Sequence, residues 1–159
     1  MLNKTYKKKF ISKLINKNIK LCIAESLTGG ALAAEFIRTQ SASKFMDFSI
    51  VCYSNQSKKS LLNLGEKIKK YDIVSSEIVE SMAKNVLKYS KSKKVISLAC
   101  TGLASTSNDY SKEKVGNVFI CVNYQNLIHT KKIQLGRRSR KFIIDKTIDF
   151  IIKEANSII

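Results

Sequence analysis

The chain contains no proline and no tryptophan, a single histidine and only six glycines in 159 residues, and its 12 acidic side chains stand against 29 basic ones. No apolar run approaches the roughly 18–20 residues that span a bilayer, and the lysine-rich start is not followed by the apolar segment of a signal peptide. The expectation is a soluble, cytoplasmic protein without a membrane partner. His129 lies mid-strand between Ile128 and Thr130, far in sequence from the turns after Ser26, Tyr53 and Thr101, so a histidine-based hydrolase finds no base here. No Cys-x-x-Cys pair occurs, and no cluster of His, Cys, Asp or Glu has metal-ligand spacing. Cys22, Cys52, Cys100 and Cys121 each fall in an apolar, strand-like run and read as small buried residues in a reducing compartment. Walker and G-x-G-x-x-G loops are also missing. Neither a metal nor an organic cofactor is expected.

A formal charge of +17 invites a nucleic-acid reading, because lysines that neutralise phosphates release counterions. The lysines are scattered, however, and cluster only at 7–9, 67–70 and 137–141 without interleaved aromatics. Abundant Lys, Asn, Ile and Ser with no Pro or Trp is the mark of A/T-rich codons. No specific nucleic-acid partner is expected.

The length suits one domain, 1–159, with a real core and no linker or repeat. Helical spacing of Tyr6, Phe10, Ile11, Leu14 and Ile15 predicts a helix over 4–17. Strands are predicted at 20–24, 48–53 and 94–100, and a hairpin at 115–124 and 127–135. A helix over 28–38 precedes the loop 39–43, and a short helix after the second strand carries Leu61, Leu62 and Leu64 on its apolar side. Ser75 reads as the N-cap of a helix buried through Ile78, Val79, Met82, Ala83 and Val86. Ile144, Ile148, Ile151, Ala155 and Ile158 line a closing helix. Alternating helices and strands followed by a hairpin imply an α/β fold, a three-layer α/β/α sandwich on a mixed, mostly parallel sheet.

The stretch Ala24-Glu25-Ser26-Leu27-Thr28-Gly29-Gly30 follows the apolar run Leu21-Cys22-Ile23 and precedes an alanine-rich helical run. A hydroxyl at the end of a buried strand is rigidly held, and glycines opening a helix leave bare N–H groups for a phosphate or an oxyanion. Tyr53 and Thr101 end two further strands, and strand ends of an open α/β sheet are where ligands bind. With histidine excluded, lysine is the remaining base: burial or nearby positive charge can lower its pKa toward neutrality. Lys58 lies five residues past Tyr53, with Asn55 placed to cap the intervening helix, although the residues alone make it one solvated lysine among many.

Five blocks occur in order: 24–30, Tyr53-Ser54-Asn55-Gln56-Ser57-Lys58, Val74-Ser75-Ser76-Glu77, Thr101-Gly102-Leu103-Ala104 and Val115-Gly116. Together they resemble the C-terminal domain of the competence-damage protein CinA, a family that includes the stand-alone bacterial nicotinamide-nucleotide amidase. The resemblance implies hydrolysis of nicotinamide mononucleotide to nicotinate mononucleotide and ammonia, or, as the alternative, nucleotide or partner binding without turnover. It carries the nucleophile to Ser26 and its assistants to Tyr53, whose phenol would relay protons, and Lys58. Backbone amides near Thr28, Gly29 and Gly30 would hold the oxyanion. Ser43, Asn55, Thr101, Gly102 and Arg138 match positions that line the nucleotide pocket, with Arg138 on the phosphate. The implied partner is a small-molecule nucleotide, and a homo-oligomer is left open.

Three departures accompany the match. The family's Gly/Pro-rich loop is here 105–114, without either residue, which implies a mobile loop and weaker substrate binding. Arg137 replaces the acidic or amide residue expected before Arg138, and Gln40-Ser41 replaces Pro-Gly.

Overall fold

The structure is a computed structural model that describes residues 4–105 and 114–159. The expectation for the loop 105–114 thus lies, but for its two end residues, outside the described residues. The described chain runs α1 (Lys4–Asn16), β1 (Lys20–Glu25), α2 (Ala31–Ile37), α3 (Ala42–Phe45), β2 (Met46–Val51), α4 (Asn55–Leu62), α5 (Gly65–Lys70), α6 (Ser76–Val86), β3 (Val95–Gly102), β4 (Asn117–Tyr124), β5 (Leu127–Gln134) and α7 (Arg140–Ile158). Its five strands form one sheet in the order β2-β1-β3-β4-β5. β1 pairs in parallel with β2 and β3, and the β3-β4 and β4-β5 pairings are antiparallel, so β4 alone runs against the others.

Period-two side-chain alternation sorts the sheet into two unlike faces. Leu21, Ile23, Ile96, Leu98, Val118, Ile120 and Val122 pack with α1, α2, α3 and α7. There Phe10, Phe36 and Phe45 meet edge to face at 5.8 and 6.2 Å. Each of these rings, fully buried, contributes about 1.5–3 kcal/mol relative to exposure. The opposite face presents the small residues Cys22, Ala24, Ala99 and Cys121, which let α6 lie close through Ile78, Val79, Met82, Ala83 and Val86. All four cysteines are buried and unpaired, as small apolar residues would be.

Element ends depart from the sequence reading where capping decides them. The helix expected from 28 begins at Ala31, because Gly30 at φ 101° holds a left-handed conformation that interrupts it. The polar loop 39–43 instead yields the short helix α3. Ser54, and not Asn55, caps α4 in a reciprocal capping box with Ser57. Leu61 is exposed, while Leu62 and Leu64 are buried. Ser75 does cap α6, accepting from the Ile78 amide at 3.3 Å.

The topology opens a crevice at one place. After β1 the chain packs α2 on one face of the sheet, and after β2 it packs α4 and α6 on the other. The loops leaving these neighbouring parallel strands therefore diverge at their carboxyl ends, the position where open α/β sheets bind ligands.

Candidate active site

Ser26 follows the last residue of β1 and is tied into the sheet by its amide, which donates to the Cys100 carbonyl at 3.2 Å. The preceding residue is tied on the other side, Cys52 N–H donating to the Glu25 carbonyl at 2.7 Å. After Ser26 the chain turns tightly, with the Gly29 amide donating to the Ser26 carbonyl at 3.1 Å. The position of Ser26 is thereby fixed by three neighbouring segments.

The turn's charge is set by a residue the sequence reading gave no task. Glu25, fully buried, receives Thr28 Oγ1 at 2.6 Å and the amides of Gly30 and Leu32 at 3.0 Å on one carboxylate oxygen, and the Ala33 amide at 2.8 Å on the other. A carboxylate at the positive end of α2, with its acceptor sites filled, is a stable way to bury a charge. It also closes that helix end to any other anion. The expectation that the amides of Gly29 and Gly30 stand bare for an oxyanion or phosphate is therefore corrected: the first is engaged by Ser26 and the second by Glu25. Thr28 lies beneath the turn, its hydroxyl also 3.1 Å from Cys100 Sγ, and does not face the cavity.

From α4, the helix after β2, comes Lys58, 2% exposed, whose Nζ donates to Ser26 Oγ at 3.0 Å and to the Tyr53 carbonyl at 3.2 Å. No described carboxylate pairs with it. Burial is the dominant influence and pushes its pKa down from 10.5 to about 8. At pH 7 about one molecule in ten then carries a neutral amine. A serine hydroxyl in contact with such an amine has the geometry that a nucleophile and base of the Ser-Lys kind require.

Tyr53 behaves otherwise than the resemblance implied. It is 58% exposed, and its phenol accepts from Arg140 Nη2 at 2.7 Å; only its backbone carbonyl meets Lys58. The expected phenol relay between lysine and serine is not formed. Ser26, Tyr53, Asn55, Lys58, Thr101 and Gly102 nonetheless line one cavity of about 370 Å³ together with Leu27, Ser54, Ile73, Val74, Leu103, Ala104, Ser105 and Arg140. That volume lies within the roughly 300–1,000 Å³ usual for small-ligand sites. Thr101 Oγ1 donates to the Ile73 carbonyl at 3.1 Å and so joins the end of β3 to the segment before α6. At Gly102 an added Cβ would meet the Asn117 carbonyl at 2.8 Å, so the wall can approach β4 only without a side chain there.

Two further expectations are corrected. Ser43 is exposed on α3 and Arg138 lies over the Phe142 ring at 5.9 Å; neither lines the cavity. The arginine that does is Arg140, two residues on, in the first turn of α7. Reading Arg138 alone missed it, because which arginine faces the cavity depends on where Ser139 caps the helix. His129 is exposed on β5 and absent from the cavity wall. Among the described residues no group of His, Cys, Asp and Glu could hold a metal ion, and no helix is long and apolar enough to cross a membrane.

Comparison with known proteins gives one consistent likeness. The family model for the CinA C-terminal domain matches residues 3–159. A CinA-like protein of Flavobacterium psychrophilum is 31% identical over 145 residues, spanning 89% of this chain and 34% of that protein. A CinA-like protein of Prochlorococcus marinus is 36% identical over 141 residues, spanning 87% and 32%. The chain thus covers about a third of the length of these curated relatives. Among solved structures, the competence damage-inducible protein A of Klebsiella pneumoniae superposes with a TM-score of 0.88 over 99% of this chain and 96% of its own, at 22% identity. The competence/damage inducible protein CihA of Agrobacterium tumefaciens gives 0.88 over 96% and 93%, also at 22%. At that identity the structural likeness shows the fold alone.

Proposed function

The chain belongs to the CinA C-terminal domain family, and from that premise we propose that it is an amidohydrolase acting on the carboxamide of nicotinamide mononucleotide. One observation carries the reading: the contact of 3.0 Å between Ser26 Oγ and a buried lysine amine that no described carboxylate neutralises.

In this reading neutral Lys58 takes the proton of Ser26 as Oγ attacks the amide carbon, giving a tetrahedral oxyanion. Collapse breaks the C–N bond, and the ammonium of Lys58 returns its proton to the leaving nitrogen, releasing ammonia and an ester on Ser26. Water, deprotonated by the same amine, cleaves that ester, and the proton goes back to Ser26. The oxyanion is assigned to the Leu27 amide, directly after the nucleophile on the cavity wall, since those of Gly29 and Gly30 are engaged. The nucleotide occupies the cavity bounded by Asn55, Thr101 and Gly102. No cofactor enters these steps.

The phenol of Tyr53, turned to Arg140, favours a second reading in which the domain binds a nucleotide without turnover. Incubation with nicotinamide mononucleotide and an ammonia assay separates the two. Under the first reading the wild type releases ammonia and Ser26→Ala does not, while still binding the nucleotide. Turnover by Ser26→Ala within about tenfold of wild type, a deficit under about 1.4 kcal/mol, would exclude covalent catalysis by this residue. Saturable binding with no ammonia would establish the second reading.

A further inference from the structure

An open sheet has two edges, and here they are unlike. β5 presents Lys131 and Lys132, both exposed, the charged protection that keeps edge strands from joining one another. β2 has none. From Phe45 to Ser57 the chain carries no lysine or arginine, and the one charged residue of that stretch, Asp47, accepts from Ser90 Oγ. β1 pairs with one side of β2, and no described strand takes the other.

Exposed apolar surface gathers at the same edge. Of nine large apolar side chains exposed among the described residues, five flank β2: Ile37, Val51, Tyr53, Leu61 and Tyr89. On one face a Cβ added to Gly30, at the opening of α2, would lie 3.6 Å from Val51 Cγ2, and Ile37 ends that helix. On the other the Tyr89 ring stacks on Phe48 at 4.6 Å, while its hydroxyl donates to the Leu61 carbonyl at 2.6 Å. An edge without cations and with apolar groups on both sides is a surface that a partner covers.

Charge and topology select the occupant. A body of +17 repels its own copies at close range over most of its surface, so self-association needs a face free of cations, which β2 supplies. An acidic partner would instead seek the lysines that this edge lacks. With β5 barred and β2 open, pairing stops at two copies and does not extend into a fibre. A two-fold axis normal to the sheet runs the two strands antiparallel, the ladder in which opposed residues reciprocate their bonds.

We propose that β2 is a dimerisation edge on which a second copy of this chain pairs its own β2 antiparallel, joining the two sheets into one. β2 starts at α3 and ends two residues before Tyr53 on the cavity wall. Antiparallel pairing therefore lays α3 of the second copy, with its exposed Ser43 and Lys44, beside this Tyr53, and each copy completes the rim of the other's cavity. Nothing in this depends on the reaction carried out there.

Sedimentation of the full chain should give about twice the 17.9 kDa of one copy. Ser49→Lys, an exposed position in mid-strand, sets like charges across the two-fold and should weaken the dimer at least about tenfold, whereas Leu127→Lys on β5 should leave it unchanged. In the wild type, exchange of β2 amides should slow as the protein is concentrated through the transition. A monomer at the highest soluble concentration, a dimer that survives Ser49→Lys, or β2 exchange that ignores concentration overturns the edge. If Ser49→Lys fails to fold, wild-type exchange alone decides. The shared rim is read by a short bismaleimide, since all four native cysteines are buried. Copies with Lys44→Cys mixed with copies with Asn55→Cys should be linked, and neither variant alone. No link in the mixture, or links within either variant alone, overturns the antiparallel arrangement.

Discussion

Lys58 Nζ reaches Ser26 Oγ across 3.0 Å from a position sealed from solvent, and no described acidic side chain compensates its charge. Such an ammonium is held in the fold at a cost, because its pKa lies at about 8 where the unfolded chain has 10.5. Between those values the unfolded state binds more protons, so stability from this group rises as pH increases through the window. The penalty is in full force below about pH 8, on the order of 3 kcal/mol from the shift, and vanishes above about 10.5. Lys58→Met should thus abolish turnover and yet stabilise the protein by about 1–3 kcal/mol at pH 7. Urea unfolding at pH 7 and pH 10 checks this: the gain should shrink at the higher pH, and a variant less stable than wild type at pH 7 would mean that the lysine's hydrogen bonds outweigh its desolvation.

The same shift gives the activity profile. A base must be neutral to act, so kcat/KM should climb tenfold per pH unit below about 8 and level off above it. Arginine stays protonated at every accessible pH, and Lys58→Arg should be as damaging as Lys58→Ala. An active arginine variant, or a flat profile between pH 6 and 9, would leave the residue as a source of positive charge only.

What could be read from sequence and what could not divide along a physical line. Ser26 was legible because it follows a short apolar strand, and strand ends of a parallel sheet converge whatever the intervening helices do. Lys58, inside α4, stood out among the many lysines only through the family resemblance, because burial of one lysine carries no local sequence signal. The α6 face was legible from Ser75 and the spacing of Ile78, Val79, Met82 and Val86. Glu25 was not, since its partners are mostly backbone amides, which carry no sequence identity. The choice between Arg138 and Arg140, like that between Ser54 and Asn55, turns on helix starts one or two residues apart, and such boundaries are fixed by caps that several adjacent polar residues could supply.

The elbow should depend on Glu25 more than on any other single side chain. Glu25→Ala strands the Thr28 hydroxyl and three amides, and at about 1–3 kcal/mol per buried unsatisfied group the loss should exceed about 3 kcal/mol. Glu25→Gln can keep the three bonds now made to one oxygen but turns an NH₂ toward the Ala33 amide, so it should cost less than alanine and more than nothing. Denaturant unfolding orders the three proteins. A Glu25→Ala variant within about 1 kcal/mol of wild type would show that water replaces the carboxylate and that the turn holds itself.

Gly116 ties the cavity wall to the start of α7. Its amide donates to the Leu103 carbonyl at 2.8 Å and its carbonyl accepts from the Leu135 amide at 2.9 Å, so Leu103 on the wall and the segment leading to Arg140 are joined through one residue. There is no room for a side chain: at φ 86° an added Cβ would come within 2.2 Å of the Gly136 carbonyl oxygen, a backbone atom that can move only if the strand ends separate. Gly116→Ala should therefore destabilise by at least about 2 kcal/mol, the sum of a disfavoured backbone conformation and an overpacked contact. It should also reach the site from a distance. Separation of Leu103 from Leu135 shifts Arg140 against Tyr53 while leaving Ser26 and Lys58 in place, so at temperatures where the variant is folded KM should rise more than kcat falls. Unfolding curves and steady-state kinetics on the same preparation provide both readings, and an alanine variant of unchanged stability would show that the crossing of Gly116 and Gly136 relaxes freely.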